Sequence, residues 1–304
     1  MIFEQLVCAD RTRLTPDGIR RLRAFSRAEL RCYPDDPATE TELLARIGDA
    51  DGVLVGWQTR VSGAALRAAF RLKYVGMCCS LYDAASANVD IGTARELGIE
   101  VRGVRDYGDE GVAEFVLAEL ISLFKGLGAV QWGKEPSELK GKTLGIIGFG
   151  TTGRMVAEAA GAFGMKILYF SRTRRPECEG QTVQYAPLMD LLSQADAVTT
   201  HLPRNTRLLE ASAFAAMKPG AVLVNTSIGP TFDLPSFCDW IGKGGGHAVF
   251  DADGSAGCAE RIGKLPGVRI YGRSCGFTAE ARSRLTEKVI ENIRSYTDER
   301  NPAR

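Results

Sequence analysis

Residues 142–165 read KTLGIIGFGTTGRMVAEAAGAFGM. The apolar run over Thr143–Ile147 predicts a short buried strand of a parallel sheet, and a helix is predicted to begin at about Thr151. The turn between them carries glycines in the spacing G-x-G-x-x-G, at Gly148, Gly150 and Gly153. Strand, glycine turn and helix therefore follow one another without an intervening loop.

Each glycine of this turn has a separate task. The first permits the tight turn, the second lets the backbone approach a pyrophosphate, and the third lets the helix pack close to the strand. The first turn of such a helix also offers free N–H groups and a partial positive charge to an anion. We therefore predict a dinucleotide site at Gly148, Gly150, Thr151, Thr152 and Gly153. The alternative is a tight structural turn that binds no ligand.

The composition is that of a globular chain with balanced charge. Its 304 residues give room for two domains, and 45% hydrophobic with 25% charged residues is typical of globular proteins. A net charge of +1 disfavours broad electrostatic capture of nucleic acid or of a membrane surface. No apolar run approaches the roughly 18 residues of a membrane span. We expect a small-molecule substrate as partner, with neither nucleic acid nor membrane.

The N-terminal residues and the cysteines bear on location and on metals. The opening MIFEQLVCADR has no basic leader and no long apolar segment, so a cytoplasmic location is expected. The eight cysteines form no C-x-x-C pair and the chain has only two histidines, so no metal site is expected. Cys8 and Cys32 lie in apolar runs, where a small buried thiol is expected.

Short apolar runs alternate with helical patterns along the whole chain. Before the glycine turn, Glu40–Ile47 is a helical pattern and Gly52–Val55 an apolar run, and Thr206–Met217 and Ala221–Asn225 repeat the pair after it. This alternation predicts an α/β fold of parallel sheets with helices on both faces. A last helix, over 279–297, is expected to return to the first domain. The predicted domains are a discontinuous substrate domain, 1–108 plus 282–304, and a dinucleotide-binding domain, 109–281.

Several candidate ligand-binding residues follow the predicted strands of the second domain. The carboxyl ends of parallel strands share one edge of the sheet, and ligands bind at that edge in folds of this class. We therefore expect a further set of residues around the bound dinucleotide, namely His201, Leu202, Pro203, Thr226, Ser227 and Asp251.

The end of the strand after the glycine turn indicates which dinucleotide binds. NAD-binding units place an acid about 20 residues after the glycines to bind the ribose 2′-hydroxyl. Here residues 168–175 have the sequence LYFSRTRR, which contains no carboxylate. A hydroxyl and guanidinium groups can instead bind a 2′-phosphate. The predicted phosphate ligands are Ser171, Arg172, Thr173 and Arg174. NADP is therefore expected and NAD is less expected, the alternative being a solvated basic turn.

A set of motifs spans nearly the whole chain. In chain order they are LKYVGMC with NVD, GVAEFVLAELI, GKTLGIIGFGTTG, THLP, MKPGAVLVNTS, the Phe250–Asp251 strand end and GFTAEA. In combination they resemble the D-isomer-specific 2-hydroxyacid dehydrogenase family. The resemblance implies two doubly wound parallel-sheet domains with a cleft between them, a flavodoxin-like substrate domain and a Rossmann domain. It also implies a nicotinamide cofactor and a homodimer.

The catalytic groups that the resemblance implies are not at their expected positions. The family uses an arginine for the substrate carboxylate, a histidine for proton transfer and a glutamate that supports the histidine. Ile228 stands at the arginine position of NTSIG, and Arg273 stands at the histidine position of GRSCG. No glutamate follows Asp251 at the right distance, since Glu260 comes too late.

Other side chains are candidates for these roles. The predicted catalytic residues are Arg273, Tyr107, Tyr82, Asp83 and His201. Arg273 can bind an anionic substrate but cannot shuttle protons, whereas tyrosine, aspartate and histidine can transfer a proton. The alternatives are a structural ion pair for Arg273, with Asp251, Asp253 or Asp106, and a loop hydrogen-bond pair for Tyr82 and Asp83. For Tyr107 the alternative is a solvated turn between the domains, and for His201 it is a position near the cofactor without a role in proton transfer. Cys78 and Cys79 are expected to be packing residues rather than nucleophiles.

Three functions remain open at this point. The first is an NADP-dependent oxidoreductase that acts on an imine, keto or unsaturated intermediate and not on a simple 2-hydroxy acid. The second is a catalytically inactive regulatory or sensing protein that binds NADP(H). The third is a simple 2-oxo acid reductase with relocated catalytic groups.

Overall fold

The computed structural model describes residues 3–128 and 130–300. The chain divides into two compact units. The first comprises residues 3–107 and 278–300 of the described chain, and the second comprises Gly108–Phe277. Each unit contains one sheet in which every pairing is parallel, so the predicted α/β class with two parallel-sheet domains is confirmed.

The first unit contains a five-stranded sheet. Its strands are β1 (Leu6–Cys8), β2 (Arg31–Cys32), β3 (Gly52–Val55), β4 (Tyr74–Ser80) and β5 (Glu100–Val104), in the order β2-β1-β3-β4-β5. Its first helices are α1 (Pro16–Leu22), α2 (Glu40–Ile47), α3 (Gly63–Ala68) and α4 (Ile91–Glu96). All four are N-capped by a side-chain oxygen that accepts a hydrogen bond from the first turn, on Thr15, Thr39, Ser62 and Asp90. Each such cap typically stabilises its helix by about 1 kcal/mol.

The second unit contains a seven-stranded sheet flanked by helices. The strands are β6 (Thr143–Ile147), β7 (Lys166–Phe170), β8 (Val183–Tyr185), β9 (Ala197–Thr200), β10 (Ala221–Asn225), β11 (Gly246–Phe250) and β12 (Val268–Ile270). The helices are α5 (Asp109–Lys125), α6 (Thr151–Ala162), α7 (Leu188–Gln194), α8 (Ala211–Ala216), α9 (Leu234–Gly242) and α10 (Ala259–Ile262). The strand order is β12-β11-β10-β9-β6-β7-β8, so the chain reverses direction across the sheet between β6 and β9. Ligands bind beside such a reversal in doubly wound sheets.

Both faces of this sheet are covered by apolar side chains. One face packs against α5 and α6, through Val116, Leu120, Phe124, Val156 and Ala160. The other packs against α7, α8 and α9, through Leu191, Leu192, Phe214, Phe237 and Ile241. Strands buried on both faces read as continuous apolar runs, which is why β6 and β10 were recognisable in the sequence.

The last helix, α11 (Ala279–Glu299), belongs to the first unit. Its apolar stripe, with Leu285, Val289 and Ile293, is buried. Tyr296 completes the stripe and packs against the rings of Phe3 and Tyr74. At 21 residues α11 is long, yet neither it nor any other helix within 3–128 and 130–300 has the apolar span needed to cross a membrane.

In the second unit, one predicted helix has the wrong start and one strand was not predicted. The helix predicted over Thr206–Met217 begins only at Ala211, because the N–H groups of Leu208 and Leu209 donate to Thr231 O at 2.9 and 3.2 Å. The short strand β8 was not predicted, since three residues carry too little periodicity.

The prediction of a buried thiol at Cys32 is also wrong. Cys8 is buried, but Cys32 is exposed because β2 is the edge strand of its sheet and is only two residues long. An apolar run at a sheet edge cannot be distinguished from a central strand by its sequence alone.

The docking of α11 depends on a close approach to α1. The Thr286 hydroxyl accepts a hydrogen bond from Thr15 N–H at 3.0 Å and donates one to Arg282 O at 2.8 Å. A Cβ placed on Gly18 would lie 2.1 Å from Thr286 Cγ2, and Thr286 is fully buried. Rotation of Thr286 away from the clash would break both hydrogen bonds.

We predict that Gly18→Ala lowers the free energy of unfolding by about 1–3 kcal/mol, the usual cost of overpacking. The double variant G18A/T286S should recover most of the loss, because serine keeps the hydroxyl and lacks the clashing methyl. Gly242→Ala is the control, since no atom lies within 4 Å of its Cβ position. Urea titrations measure all four proteins. Equal loss in G18A and in the double variant would contradict this account.

Candidate functional site

The glycine turn of the second unit has the conformation that the spacing predicts. Gly148 has φ +97°, and a Cβ there would lie 2.1 Å from His201 O. A Cβ on Gly153 would lie 2.2 Å from Gly148 O, so helix α6 approaches the strand closely. No atom lies within 4 Å of the Cβ position of Gly150. The turn is therefore closed toward the protein and open where the second glycine would face a pyrophosphate.

The first turn of α6 lies beside the start of α5. Helix α6 begins at Thr151, as predicted, and the Thr152 hydroxyl donates to the buried carboxylate of Asp109. This bond ties α6 to α5. What Thr152 offers to a phosphate is thus its backbone N–H, which is one of the N–H groups left unpaired by helix geometry.

The carboxyl ends of β9 and β10 are joined by a buried hydrogen-bond network. The Thr200 hydroxyl donates to Asn225 Oδ1 at 2.7 Å, and Asn225 Nδ2 donates to Gly254 O at 2.9 Å. The Ser227 hydroxyl donates to Thr200 O at 3.0 Å and accepts from Leu202 N–H at 2.9 Å. The structure therefore brings the predicted residues Leu202 and Ser227 together. Thr200, whose carbonyl bonds to Ser227, was not among the predicted site residues.

Thr226, one of the predicted cofactor ligands, has an unpaired hydroxyl. Its Oγ1 is buried and has no hydrogen-bond partner in the part of the chain that the structure describes. A buried hydroxyl without a partner costs about 1–3 kcal/mol. The atom lies immediately after β10, at the same edge of the sheet as the glycine turn. The residues present thus fit a dinucleotide, with the open turn at Gly150 for the phosphates and Thr226 Oγ1 as a further polar contact.

Asp251 organises the loops that follow β11 and β12. It is buried, and its two oxygens accept hydrogen bonds from Gly254 N–H at 2.7 Å and Cys275 N–H at 2.9 Å. Burial raises the pKa of the Asp251 carboxyl. Asp253 in turn accepts a hydrogen bond from the Ser274 hydroxyl. Both carboxylates therefore hold the backbone and the neighbours of Arg273.

Arg273 itself is not buried. Its side chain is exposed, and within 3–128 and 130–300 no ion pair to its guanidinium is present. Asp251 and Asp253, two of the partners considered from the sequence, bond to Cys275 and Ser274 instead. The Arg273 carbonyl accepts from Ala252 N–H at 3.1 Å, which fixes the backbone of the loop. Arg273 is thus an exposed cation on a fixed loop.

His201 follows β9 and is partly buried. Its Nε2 lies 3.1 Å from Thr199 Oγ1, and its backbone carbonyl faces Gly148. Burial lowers the pKa of His201 to about 4, so the imidazole is neutral near pH 7. A neutral imidazole can accept a proton as a general base, but it lacks the additional proton that an imidazolium donates as a general acid. Pro203, two residues later, is partly buried.

The basic turn after β7 contains an arginine, Arg174, that already has a partner within the protein. The guanidinium of Arg174 forms two hydrogen bonds with Glu179, from Nε to Oε1 and from Nη2 to Oε2, both at 2.7 Å. Glu179, five residues later, folds back onto Arg174 and engages two of its guanidinium nitrogens. The contact of Arg174 with a 2′-phosphate stays a prediction. Arg172 and Thr173 are exposed and Ser171 is partly buried.

The first unit carries the remaining candidate catalytic residues at the carboxyl ends of β4 and β5. Tyr82 is 46% exposed, and the Arg105 guanidinium lies 5.3 Å from its ring. Asp83 Oδ1 accepts from Ser86 N–H at 2.8 Å, and Tyr107 O accepts from Arg284 Nε at 2.9 Å. These bonds hold Asp83 within its own loop and tie the backbone of Tyr107 to α11.

The paired cysteines of β4 are both buried. Cys78 and Cys79 are each 4% exposed, and Cys79 Sγ donates to Asn88 Oδ1 at 3.4 Å. Burial raises the pKa of the Cys78 thiol well above its usual value. Because the thiolate is the nucleophile, burial of this kind favours a packing role. Among the described residues, no group of three or more His, Cys, Asp or Glu side chains is placed to hold a metal ion.

Comparison with known proteins identifies the family. Residues 124–252 match the model of the D-isomer specific 2-hydroxyacid dehydrogenase NAD binding domain. The glyoxylate reductase of Thermococcus litoralis is 30% identical over 94% of this chain and 92% of its own length. The chain belongs to the D-isomer-specific 2-hydroxyacid dehydrogenase family. The resemblance stated from the motifs is confirmed, and the second unit contains the NAD-binding domain of the family.

Further relatives are reductases. The hydroxypyruvate reductase of Blautia hydrogenotrophica is 30% identical over 84% of each chain. Among solved structures, an acyclic imino acid reductase in complex with NADPH and D-Arg superposes with a TM-score of 0.83, at 26% identity and with 97% of both chains covered. The prediction that the chain is an NAD(P)-dependent oxidoreductase of this family is confirmed.

The pKa of His201 predicts a component of acid sensitivity. A group whose pKa is lower when folded contributes stability above its unfolded pKa, near 6.5, and loses it as the pH falls toward the folded value of about 4. Between pH 7 and pH 5 this loss amounts to about 2 kcal/mol. In urea titrations, wild type should lose about that much more stability over this range than His201→Gln. Parallel pH profiles for the two proteins would contradict the assignment.

Proposed function

We propose that the chain is an NADP-dependent reductase whose substrate is an imine and not a simple 2-hydroxy acid. The observation that carries the proposal is the pair of residues at the positions of the family's substrate-binding arginine and catalytic histidine. These positions hold Ile228 and Arg273. An isoleucine cannot bind a carboxylate, and a guanidinium stays protonated and cannot relay protons near neutral pH.

Reduction of a protonated imine requires no proton donor from the protein, whereas reduction of a ketone does. Bound NADPH would supply the hydride. A ketone oxygen that gains negative charge needs a proton donor, and loss of such a donor typically costs 10²–10⁴ in rate. An imine protonated by solvent is already cationic and accepts a hydride without a further proton. A site without the family's histidine is therefore suited to an imine.

Arg273 is proposed to bind the carboxylate of an imino acid. Its loop is fastened by Asp251 and Asp253, and its guanidinium is exposed at the carboxyl edge of the sheet. A guanidinium binds carboxylates through paired hydrogen bonds. Tyr82, Asp83, Tyr107 and His201 remain proposed proton donors or acceptors, with His201 neutral near pH 7. The solved imino acid reductase bound to D-Arg and NADPH supports this substrate class.

NADP is the proposed cofactor. Gly148, Gly150, Thr151, Thr152 and Gly153 would hold the pyrophosphate. At the proposed adenosine end, β7 is followed by Ser171-Arg172-Thr173, and this stretch has no carboxylate for a 2′-hydroxyl. Glu179, the nearby acid, is paired with Arg174. The remaining proposed cofactor contacts follow β9, β10 and β11, at His201, Leu202, Pro203, Thr226, Ser227 and Asp251.

A homodimer is the proposed assembly, as the family resemblance implies. A sedimentation mass equal to that of a single 32.9 kDa chain would contradict it.

Replacement of Arg172 tests the cofactor assignment. Arg172→Ala should weaken NADPH binding roughly 10- to 100-fold, which corresponds to about 1.5–3 kcal/mol for a hydrogen bond to a charged group. NADH binding should be unchanged, because NADH lacks the 2′-phosphate. Lys243→Ala removes a positive charge from the end of α9 and serves as the control. Calorimetry in which wild type binds both cofactors equally would contradict the proposal.

Replacement of Arg273 tests the substrate assignment. With the imine formed in solution from pyruvate and methylamine, Arg273→Met should raise KM about tenfold or more, since a charged hydrogen bond contributes about 1.5–3 kcal/mol. Melting temperature and NADPH affinity should stay the same. Arg261→Met, on an exposed arginine of α10, is the control. A marked fall in melting temperature with unchanged KM would show that Arg273 has a structural role.

A further inference from the structure

Glu179 lies at the centre of a charged cluster beside the end of β7. Its Oε1 accepts hydrogen bonds from Arg174 Nε at 2.7 Å and from the Tyr169 hydroxyl at 2.8 Å. Its Oε2 accepts from Arg174 Nη2 at 2.7 Å. The carboxylate is 17% exposed, whereas the Arg174 side chain is 59% exposed. Glu179 thus fastens an exposed arginine to a buried tyrosine.

Tyr169 anchors this cluster to the sheet. It is fully buried in β7, and its ring stacks on Phe149 of the glycine turn with centroids 3.9 Å apart. Its hydroxyl also accepts a hydrogen bond from Arg175 N–H at 2.7 Å. Tyr169 therefore contacts the glycine turn through its ring and links the basic turn to Glu179 through its hydroxyl.

Arg174 also contacts an aromatic ring. Its guanidinium lies 5.4 Å from the ring of Tyr185 in β8. Arg174 holds the pKa of Glu179 down to about 2, so the pair is charged at all ordinary pH values. A bidentate arginine–carboxylate pair fixes orientation as well as distance.

The segment that this cluster fastens is the one that carries the proposed phosphate ligands. Ser171, Arg172 and Thr173 lie between β7 and Arg174, and thus between two fixed points. The geometry points to Glu179 as a positioning residue that determines NADP specificity by holding Arg172 in place for the 2′-phosphate. This inference rests on the proposed NADP dependence.

The pairing with Arg174 also explains how an acid is tolerated there. An isolated carboxylate close to a phosphate would repel it. The bidentate pair cancels that charge and leaves Arg172 as the net positive charge. Preorganisation of this kind raises affinity by reducing the ordering cost of binding.

The test uses a change that keeps the charge and shortens the reach. Glu179→Asp retains the carboxylate, but the aspartate side chain is one methylene shorter and cannot accept hydrogen bonds from Tyr169 and Arg174 at the same time. We expect the Kd for NADPH to rise about tenfold, with the Kd for NADH and the melting temperature unchanged. Glu177→Asp is the matched control, because Glu177 lies in the same turn, is 62% exposed and approaches Arg175 only to 3.7 Å.

A second variant separates positioning from charge and covers a failure of Glu179→Asp to fold. Glu179→Gln keeps the size and loses the bidentate pair, so positioning predicts weaker NADPH binding. Tighter NADPH binding by E179Q would show that Glu179 merely repels the phosphate and would overturn the inference.

The outcomes distinguish this inference from the proposed function. A wild type that prefers NADPH, with the preference unchanged in E179D, overturns the role of Glu179 alone. A wild type that binds NADPH and NADH equally overturns both. Loss of preference in E179D but not in E177D supports the positioning role.

Discussion

The second unit depends on one close backbone contact, between Gly148 and the carbonyl of His201. A single carbon added to Gly148 would lie 2.1 Å from that oxygen, so β6, β9 and the start of α6 can meet only with glycine there. The contact brings the end of β9 to the glycine turn. His201 N–H also donates to Ile147 O at 2.8 Å, so the two strand ends are joined in both directions. The network of Thr200, Asn225 and Ser227 then continues this edge toward Asp251.

Much of the fold was predictable because local and tertiary constraints agree. The bounds of α2, β3, β6 and β10 match the predicted ones, since each is an apolar run or stripe with clear ends. The start of α8 was not predictable, because backbone bonds to Thr231, distant in sequence, replace the first helical turns. The exposure of Cys32 depends on the strand order, which periodicity does not reveal.

In the candidate site, too, local features were predictable and contacts between distant residues were not. The glycine turn was predicted because its spacing and its context are both local. The pairing of Arg174 with Glu179 was missed, although an Arg and a Glu five residues apart across Pro176 were visible in the sequence. One partner of Asp251, the N–H of Cys275, lies on a loop 24 residues away and carried no signal in the sequence. Arg172 and Arg273 thus remain the exposed cations of the two proposed anion contacts, one for the cofactor and one for the substrate.

The central claim is that this family member reduces the C=N bond of an imine and not the C=O bond of a simple 2-oxo acid. The most direct measurement follows NADPH absorbance with pyruvate held constant while methylamine is titrated. We predict negligible oxidation with pyruvate alone and a rate that rises and saturates with the amine, because only the imine accepts a hydride without a proton donor. Rapid turnover of pyruvate alone, unaffected by the amine, would contradict the account.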